Sequence, residues 1–332
     1  MVITEAKLKD EAKKSLKGAY AQGTLKNLVR QRDRFLQFCN DWQEVPVPVS
    51  VETLLLYMQF LAGEFASVET IGNYVYGVKL WYMTEGWEVL QFDHYLIKMM
   101  KKGLKRRLQH TPRQALPITP EILLEIRSSM DMEDPQEATY WALFLMAFFL
   151  VCRKSNLVPD KKSAFDCNKQ LSRGHFKERN GALLVSMKWT KTIQFGERVL
   201  VIPILPIKGS NLCPVRAYHR MCDLNPAGPS APAFIKRAKG GEVVPIVYRE
   251  FQARLKMAIE CVGRDPSRFS SHSFRRGAAS FAYEAGVPAE TVKVMGDWAS
   301  DCFRKYLQVS MACKTEAASK IGLLINKIEG RI

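Results

Sequence analysis

His272 and Arg275 stand three residues apart in Ser271-His272-Ser273-Phe274-Arg275, a spacing that puts both on one face of a helix. After the turn sequence Gly286-Val287-Pro288, a second turn, Gly296-Asp297-Trp298, leads to Tyr306, eight residues beyond Trp298. Upstream, Val151-Cys152-Arg153-Lys154-Ser155-Asn156-Leu157 closes an apolar run, and Trp189-Thr190-Lys191-Thr192 follows a strand-like one. These residue types have definite chemical capacities. A guanidinium is planar, always charged and forked to match two phosphate oxygens. A tyrosine hydroxyl is an oxygen nucleophile that can form a covalent ester. A lysine or histidine held nearby moves protons. Singly, each has an ordinary structural reading: Arg153 as a cation at a helix C-terminus, Lys191 as a hairpin lysine with Lys188 as a close rival, His272 and Arg275 as a surface pair, Trp298 and Tyr306 as core aromatics. Their joint occurrence, in this order, argues for a site.

In that order the set resembles the signature of the tyrosine recombinases of the phage integrase superfamily. The shared pattern is an arginine at the end of an apolar helix, a lysine on a β-hairpin, H-x-x-R, a glycine closely followed by histidine or tryptophan, then the nucleophilic tyrosine. The N-terminal helical half resembles the core-binding domain of that family, so the likeness covers nearly the whole chain. The wording is closest to recombinases of eukaryotic mobile elements of the DIRS and Crypton kind, where a Trp-Ser-Asp-like stretch precedes the tyrosine at the same eight-residue step.

The resemblance implies catalytic roles for Arg153, Lys191, His272, Arg275, Trp298 and Tyr306. Tyr306 would attack a DNA phosphodiester and keep its energy in a 3′-phosphotyrosyl bond until a partner strand's 5′ hydroxyl displaces it. Arg153 and Arg275 would hold the non-bridging oxygens as negative charge gathers there. Lys191 would protonate the departing 5′ oxygen, and His272 would bond the phosphate and assist proton transfer from Tyr306. Trp298 stands where many relatives have histidine; its indole N–H can donate to a phosphate oxygen but cannot act as a base. Asn156 departs from the pattern, since many relatives place Glu or Asp there; hydrogen bonding is kept and the charge is dropped. No metal and no small-molecule cofactor is implied, because the arginines supply the charge. The implied partners are double-stranded DNA and further copies of the chain, as a tetramer on DNA. The implied setting is mobile-element integration or excision, in the nucleus of a eukaryote and otherwise in the cytoplasm. Three alternatives stand beside this: a catalytically idle, domesticated DNA-binding protein, a type IB topoisomerase-like relaxing enzyme, and a protein-interaction scaffold that is basic by chance.

Charge fits a polyanionic partner. Lys and Arg number 49 against 33 Asp and Glu, a formal net charge of +16; each cation set against a phosphate releases condensed counterions. The eight cysteines include no C-x-x-C pair, which argues against a zinc site. Residues 1–15 do not read as a signal peptide, so the thiols are expected to be reduced. The longest apolar run, 140–152, is shorter than the roughly 20 residues a bilayer span needs and reads as a buried helix.

These residues need a scaffold, and the pattern around them is mostly helical. Residues 1–105 read as helices: one after Gly23-Thr24 with apolar positions Leu25, Leu28, Val29, Phe35, Leu36 and Phe38, one over 51–63 capped by Ser50, and one started by Ser67 and Thr70 that runs to Gly86. A basic stretch follows: Lys98, Lys101, Lys102, Lys105, Arg106, Arg107 and Arg113. It runs into Thr111-Pro112 and Leu116-Pro117, an expected interdomain linker, and reads either as a solvated face or as a DNA-clasping hinge. Thr119-Pro120-Glu121 starts a helix. Two strand-like runs, 182–189 and 198–205, are joined by 190–197. Helices are expected at 213–222, 250–261 and through 273–327. The tail, with Ile321, Leu323, Leu324 and Ile325, docks on a neighbouring subunit or packs on its own domain. The expected fold is mostly α with a small antiparallel sheet. It comprises a helical, SAM-like core-binding bundle at about 1–110 and a tyrosine-recombinase-like catalytic domain at about 115–332. By resemblance, the two clamp duplex DNA as a C shape.

Overall fold

Ser50 and Ser67 each stop a loop and start a helix. The Ser50 hydroxyl accepts from the Thr53 N–H at 2.9 Å and the Ser67 hydroxyl from the Thr70 N–H at 3.3 Å. Each covers a donor that the first helical turn leaves without a partner. The structure, a computed structural model, describes residues 4–111, 114–238, 240–305 and 311–329. The chain divides into two units, Met1–Arg113 and Gln114–Ile332.

The first unit holds helices Glu5–Gly18 (α1), Gln22–Trp42 (α2), Val51–Glu64 (α3), Val68–Glu85 (α4) and Tyr95–Leu108 (α5). Its core joins Phe35 and Phe38 of α2, Leu54, Tyr57, Met58 and Leu61 of α3, and Ile71, Val75, Val78 and Tyr82 of α4. Val29, expected on the buried face of α2, is exposed. The basic residues from Lys98 to Arg107 are helical and form the outer face of α5, whose Ile97 and Leu104, two turns apart, bury into that core and leave Lys98, Lys102, Lys105, Arg106 and Arg107 exposed, with Lys101 partly so. Helix α5 ends at Gln109, which takes φ +44°.

The second unit is built around Pro135–Phe149 (α7), whose residues from Ala138 to Phe148 are all buried. The unit's other helices are Pro120–Ser128 (α6), Lys154–Leu157 (α8), Pro214–Leu224 (α9), Tyr248–Cys261 (α10), Ser271–Glu284 (α11), Ala289–Met295 (α12) and Met311–Ile328 (α13). Phe144 meets Phe251 of α10 and Phe274 of α11 with ring centres 5.9 and 5.4 Å apart. Helix α7 starts and stops earlier than the apolar run 140–152 implies. Asp134 caps it through the Glu137 N–H at 2.7 Å, and Pro135, Gln136 and Glu137 open its first turn. Its other end is set by Val151, which takes φ +49°.

Strands Phe176–Arg179 (β1), Ala182–Met187 (β2) and Leu200–Ile204 (β3) form an antiparallel sheet in the order β1-β2-β3. Val185 pairs with Phe176 on one side and Ile202 on the other, and Leu183, Val185 and Met187 face the core. Strand β1 and a second hairpin, Ile235–Arg237 (β4) with Val243–Pro245 (β5), go beyond the two expected strands. In α13, Ile321, Leu323, Leu324 and Ile325 are exposed. Cys39, Cys152, Cys167, Cys213, Cys222, Cys261 and Cys302 are free thiols, and among the described residues no helix is long and apolar enough to cross a membrane.

Candidate active site

Three segments far apart in sequence converge in the second unit. The first follows α7. Its last turn gives way to the buried residues Leu150, Val151 and Cys152, and Arg153 then stands in extended conformation at the N-cap of α8. Arg153 therefore starts a helix and does not end one. The left-handed residue Val151 breaks α7 two positions earlier. The Arg153 side chain is 21% exposed, with Nη1 3.8 Å from the Asp297 carboxylate and Nη2 donating to the Asp297 carbonyl at 3.4 Å.

The second segment is α11 with the turn after α12. Arg275 is 2% exposed. Its Nη1 donates to the Val151 carbonyl at 2.5 Å and its Nη2 to the Gly296 carbonyl at 2.6 Å, so one guanidinium spans the Arg153 loop and the Gly296 turn. Trp298 is 6% exposed and lies beneath Arg275 as a cation–π platform. The indole folds back over Gly296 so closely that a Cβ there would sit 1.7 Å from a ring carbon. Carbonyls and a π face thus offset the cost of burying a cation. His272, one turn before Arg275, is exposed. Partial desolvation of its ring and the charges of Arg275, Lys154 and Arg153 hold its pKa below the ordinary histidine value, favouring the neutral imidazole.

The third segment is the β2–β3 loop. Thr190 and Thr192, either side of Lys191, both donate their hydroxyls to the Asp297 carboxylate, and Arg198 pairs with the same group. Burial works against the Asp297 charge. The hydrogen bonds from Thr190, Thr192 and Arg198, with the Arg198 charge, outweigh it, so the pKa lies below the ordinary carboxylate value. Asn156 is 1% exposed and donates to the Trp189 carbonyl at 2.7 Å, tying the Arg153 segment to the start of the loop. Lys191 itself is exposed. Lys188 is exposed too and lines a separate cleft with His175, Lys177, Ser172 and Ser186.

Arg153, Arg275, His272 and Trp298 are thus brought together, with the Lys191 loop held against them. Tyr306 and Arg113 lie outside the described residues. The described chain runs through a short 3-10 helix, Asp301–Lys305, to the residue before Tyr306, with Phe303 packed on Trp298 at 5.9 Å. The basic residues of α5 belong to the first unit. Sequence reasoning passed over Asp297, Thr190, Thr192 and Arg198. The available signal was an acid inside an otherwise cationic set, in the turn between Gly296 and Trp298. Two arginines fixed from different segments, a depressed histidine and a loop lysine suit a phosphodiester, whose non-bridging oxygens accept forked donors.

No protein-family model and no curated protein matches the chain. Solved structures do. The chain resembles the Tn1549 transposon integrase in complex with circular intermediate DNA at 13% identity and a TM-score of 0.61, covering 92% of this chain and 96% of that one. The fold is that of the tyrosine recombinases. A lambda integrase dimer bound to a COC′ core site matches at 15% identity and TM-score 0.53, covering 92% and 96%. The XerH site-specific recombinase bound to palindromic difH substrate, a post-cleavage complex, matches at 16% identity and TM-score 0.54, covering 82% and 70%.

Proposed function

We propose that this chain is a site-specific DNA recombinase that cleaves and rejoins duplex DNA through a 3′-phosphotyrosyl bond to Tyr306. One observation carries the reading: Arg275, Arg153 and the Lys191 loop meet around a single turn, Gly296-Asp297-Trp298, on a fold shared with integrases solved on DNA. In the reaction the Tyr306 oxygen attacks phosphorus, its proton passing toward His272. The bond to the 5′ oxygen breaks, and that oxygen takes a proton from Lys191. Arg153 and Arg275 neutralise the non-bridging oxygens, with Trp298 keeping the Arg275 fork in place. The exposed cations of α5 contact DNA phosphates. Two duplexes are joined by a tetramer, in which the exposed Ile321, Leu323, Leu324 and Ile325 of α13 dock on a neighbouring copy. The biological role is integration or excision of a mobile element of the DIRS or Crypton kind, carried out in the nucleus if the host is a eukaryote and otherwise in the cytoplasm.

The test selects SDS-resistant protein–DNA adducts from a library of random duplexes and maps the attachment point. Wild type should give adducts on Tyr306, and Tyr306→Phe should bind the selected duplex and give none. Adducts of undiminished yield in Tyr306→Phe, or adducts mapped to another tyrosine, would overturn the nucleophile. Binding without any wild-type adduct would make the chain an idle DNA-binding protein. Relaxation of supercoiled plasmid with no recombined product would make it a relaxing enzyme.

A further inference from the structure

We infer that Asp297 is the positioning residue for Lys191, holding the general acid in register with Arg153. The inference rests on the recombinase reading above. Asp297 is 5% exposed and sits in the left-handed region at φ +51°, at the tight turn between Gly296 and Trp298. From there its carboxylate takes both hydroxyls that flank Lys191 and pairs with Arg198 at the far end of the same loop. Its backbone carbonyl accepts from Arg153, the cation assigned to the phosphate. Three further bonds stiffen the loop: Asn156 on the Trp189 carbonyl, Gln194 on the Lys191 carbonyl at 2.7 Å, and the Ile193 N–H on the Thr190 hydroxyl at 3.1 Å.

The backbone on both sides of Lys191 is therefore pinned, while the side chain stays exposed. A lysine ammonium on a flexible four-carbon stem is a poor acid unless its base is fixed, because each misplaced rotamer dilutes the productive geometry. Asp297 fixes it by accepting from two neutral hydroxyls, which an uncharged side chain of the same shape cannot do as well. An ionised carboxylate offers roughly four acceptor sites, whereas an amide exchanges half of them for donors. Asp297 also supplies a buried negative charge to this site, where Asn156 has none.

The experiment is single-turnover cleavage by the full chain on a duplex recovered by adduct selection. That duplex is made with either an ordinary phosphodiester or a 5′-bridging phosphorothiolate at the mapped position. The sulfur leaving group scarcely needs a proton. Asp297→Asn should bind this duplex with wild-type affinity, cleave the ordinary substrate about 10²-fold more slowly, and recover most of that loss on the phosphorothiolate. Thr192→Val, at a partly exposed position, should show the same substrate-selective defect to a smaller degree, and it decides the matter if Asp297→Asn melts below the assay temperature. Equal losses on both substrates, or no loss, would overturn the positioning role while leaving a wild type that still forms adducts. A wild type that forms no adduct overturns the recombinase reading, and this inference with it.

Discussion

The guanidinium carbon of Arg275 lies 3.7 Å from the centre of the Trp298 ring, and the two side chains are buried together. The arrangement locks Arg275 from below while its Nη1 and Nη2 reach the carbonyls of Val151 and Gly296. The fork is therefore both a structural tie and the group assigned to the phosphate.

Replacing that fork with a single ammonium should separate the two duties. Arg275→Lys keeps the charge but leaves one buried carbonyl unsatisfied, at a cost of about 1–3 kcal/mol in a denaturant melt. The rate of adduct formation should fall by about 10²–10³-fold, in line with loss of one fixed donor to a charged transition state. Cleavage at the wild-type rate would remove Arg275 from the site.

The pH dependence follows from His272. A general base must be neutral, and the folded pKa of His272 lies below its ordinary value of 6.5. Cleavage should therefore hold steady as pH falls through 6.5 and drop only at lower pH, where the imidazole gains its proton. Lys154→Met removes one of the repelling charges, so the acid limb should move up in pH. A limb that stays where it is in Lys154→Met belongs to another group.

The face of α5 predicts a salt effect. Neutralising Lys101, Lys102, Arg106 and Arg107 together should flatten the log–log dependence of duplex affinity on salt, by about 0.9 for each phosphate contact removed. The melting temperature should barely change, because Ile97 and Leu104 make the core contacts of this helix. An unaltered slope would return these cations to a merely solvated face.

Close packing beneath the site gives a stability prediction. A Cβ on Gly277 of α11 would sit 1.7 Å from the Ile118 carbonyl oxygen, and that segment is tied to α11 by the Ile118 N–H on the Ser273 carbonyl at 3.0 Å. Gly277→Ala must push the helix away, which should cost about 3 kcal/mol in urea unfolding. A wild-type midpoint would mean that the segment moves aside without strain.

The caps at Ser50, Ser67 and Thr119 were legible in the sequence because each bond spans three residues, and so were the strand-like runs that hold β2 and β3. The order of the candidate catalytic residues was legible for the same kind of reason: residue types and short spacings carry it. The limits of α7 were not, since hydrophobicity marks what is buried and a cap at Asp134 or a left-handed Val151 decides where a helix stops. Nor was the place of the cations on α5, where Ile97 and Leu104 find their core only once α3 and α4 are in position. Asp297 is the sharpest case. Its partners Thr190 and Arg153 lie 107 and 144 residues away, and a carboxylate's worth depends on which donors surround it after burial. Local sequence determines which side chains are available, and tertiary packing determines which of them share a charge.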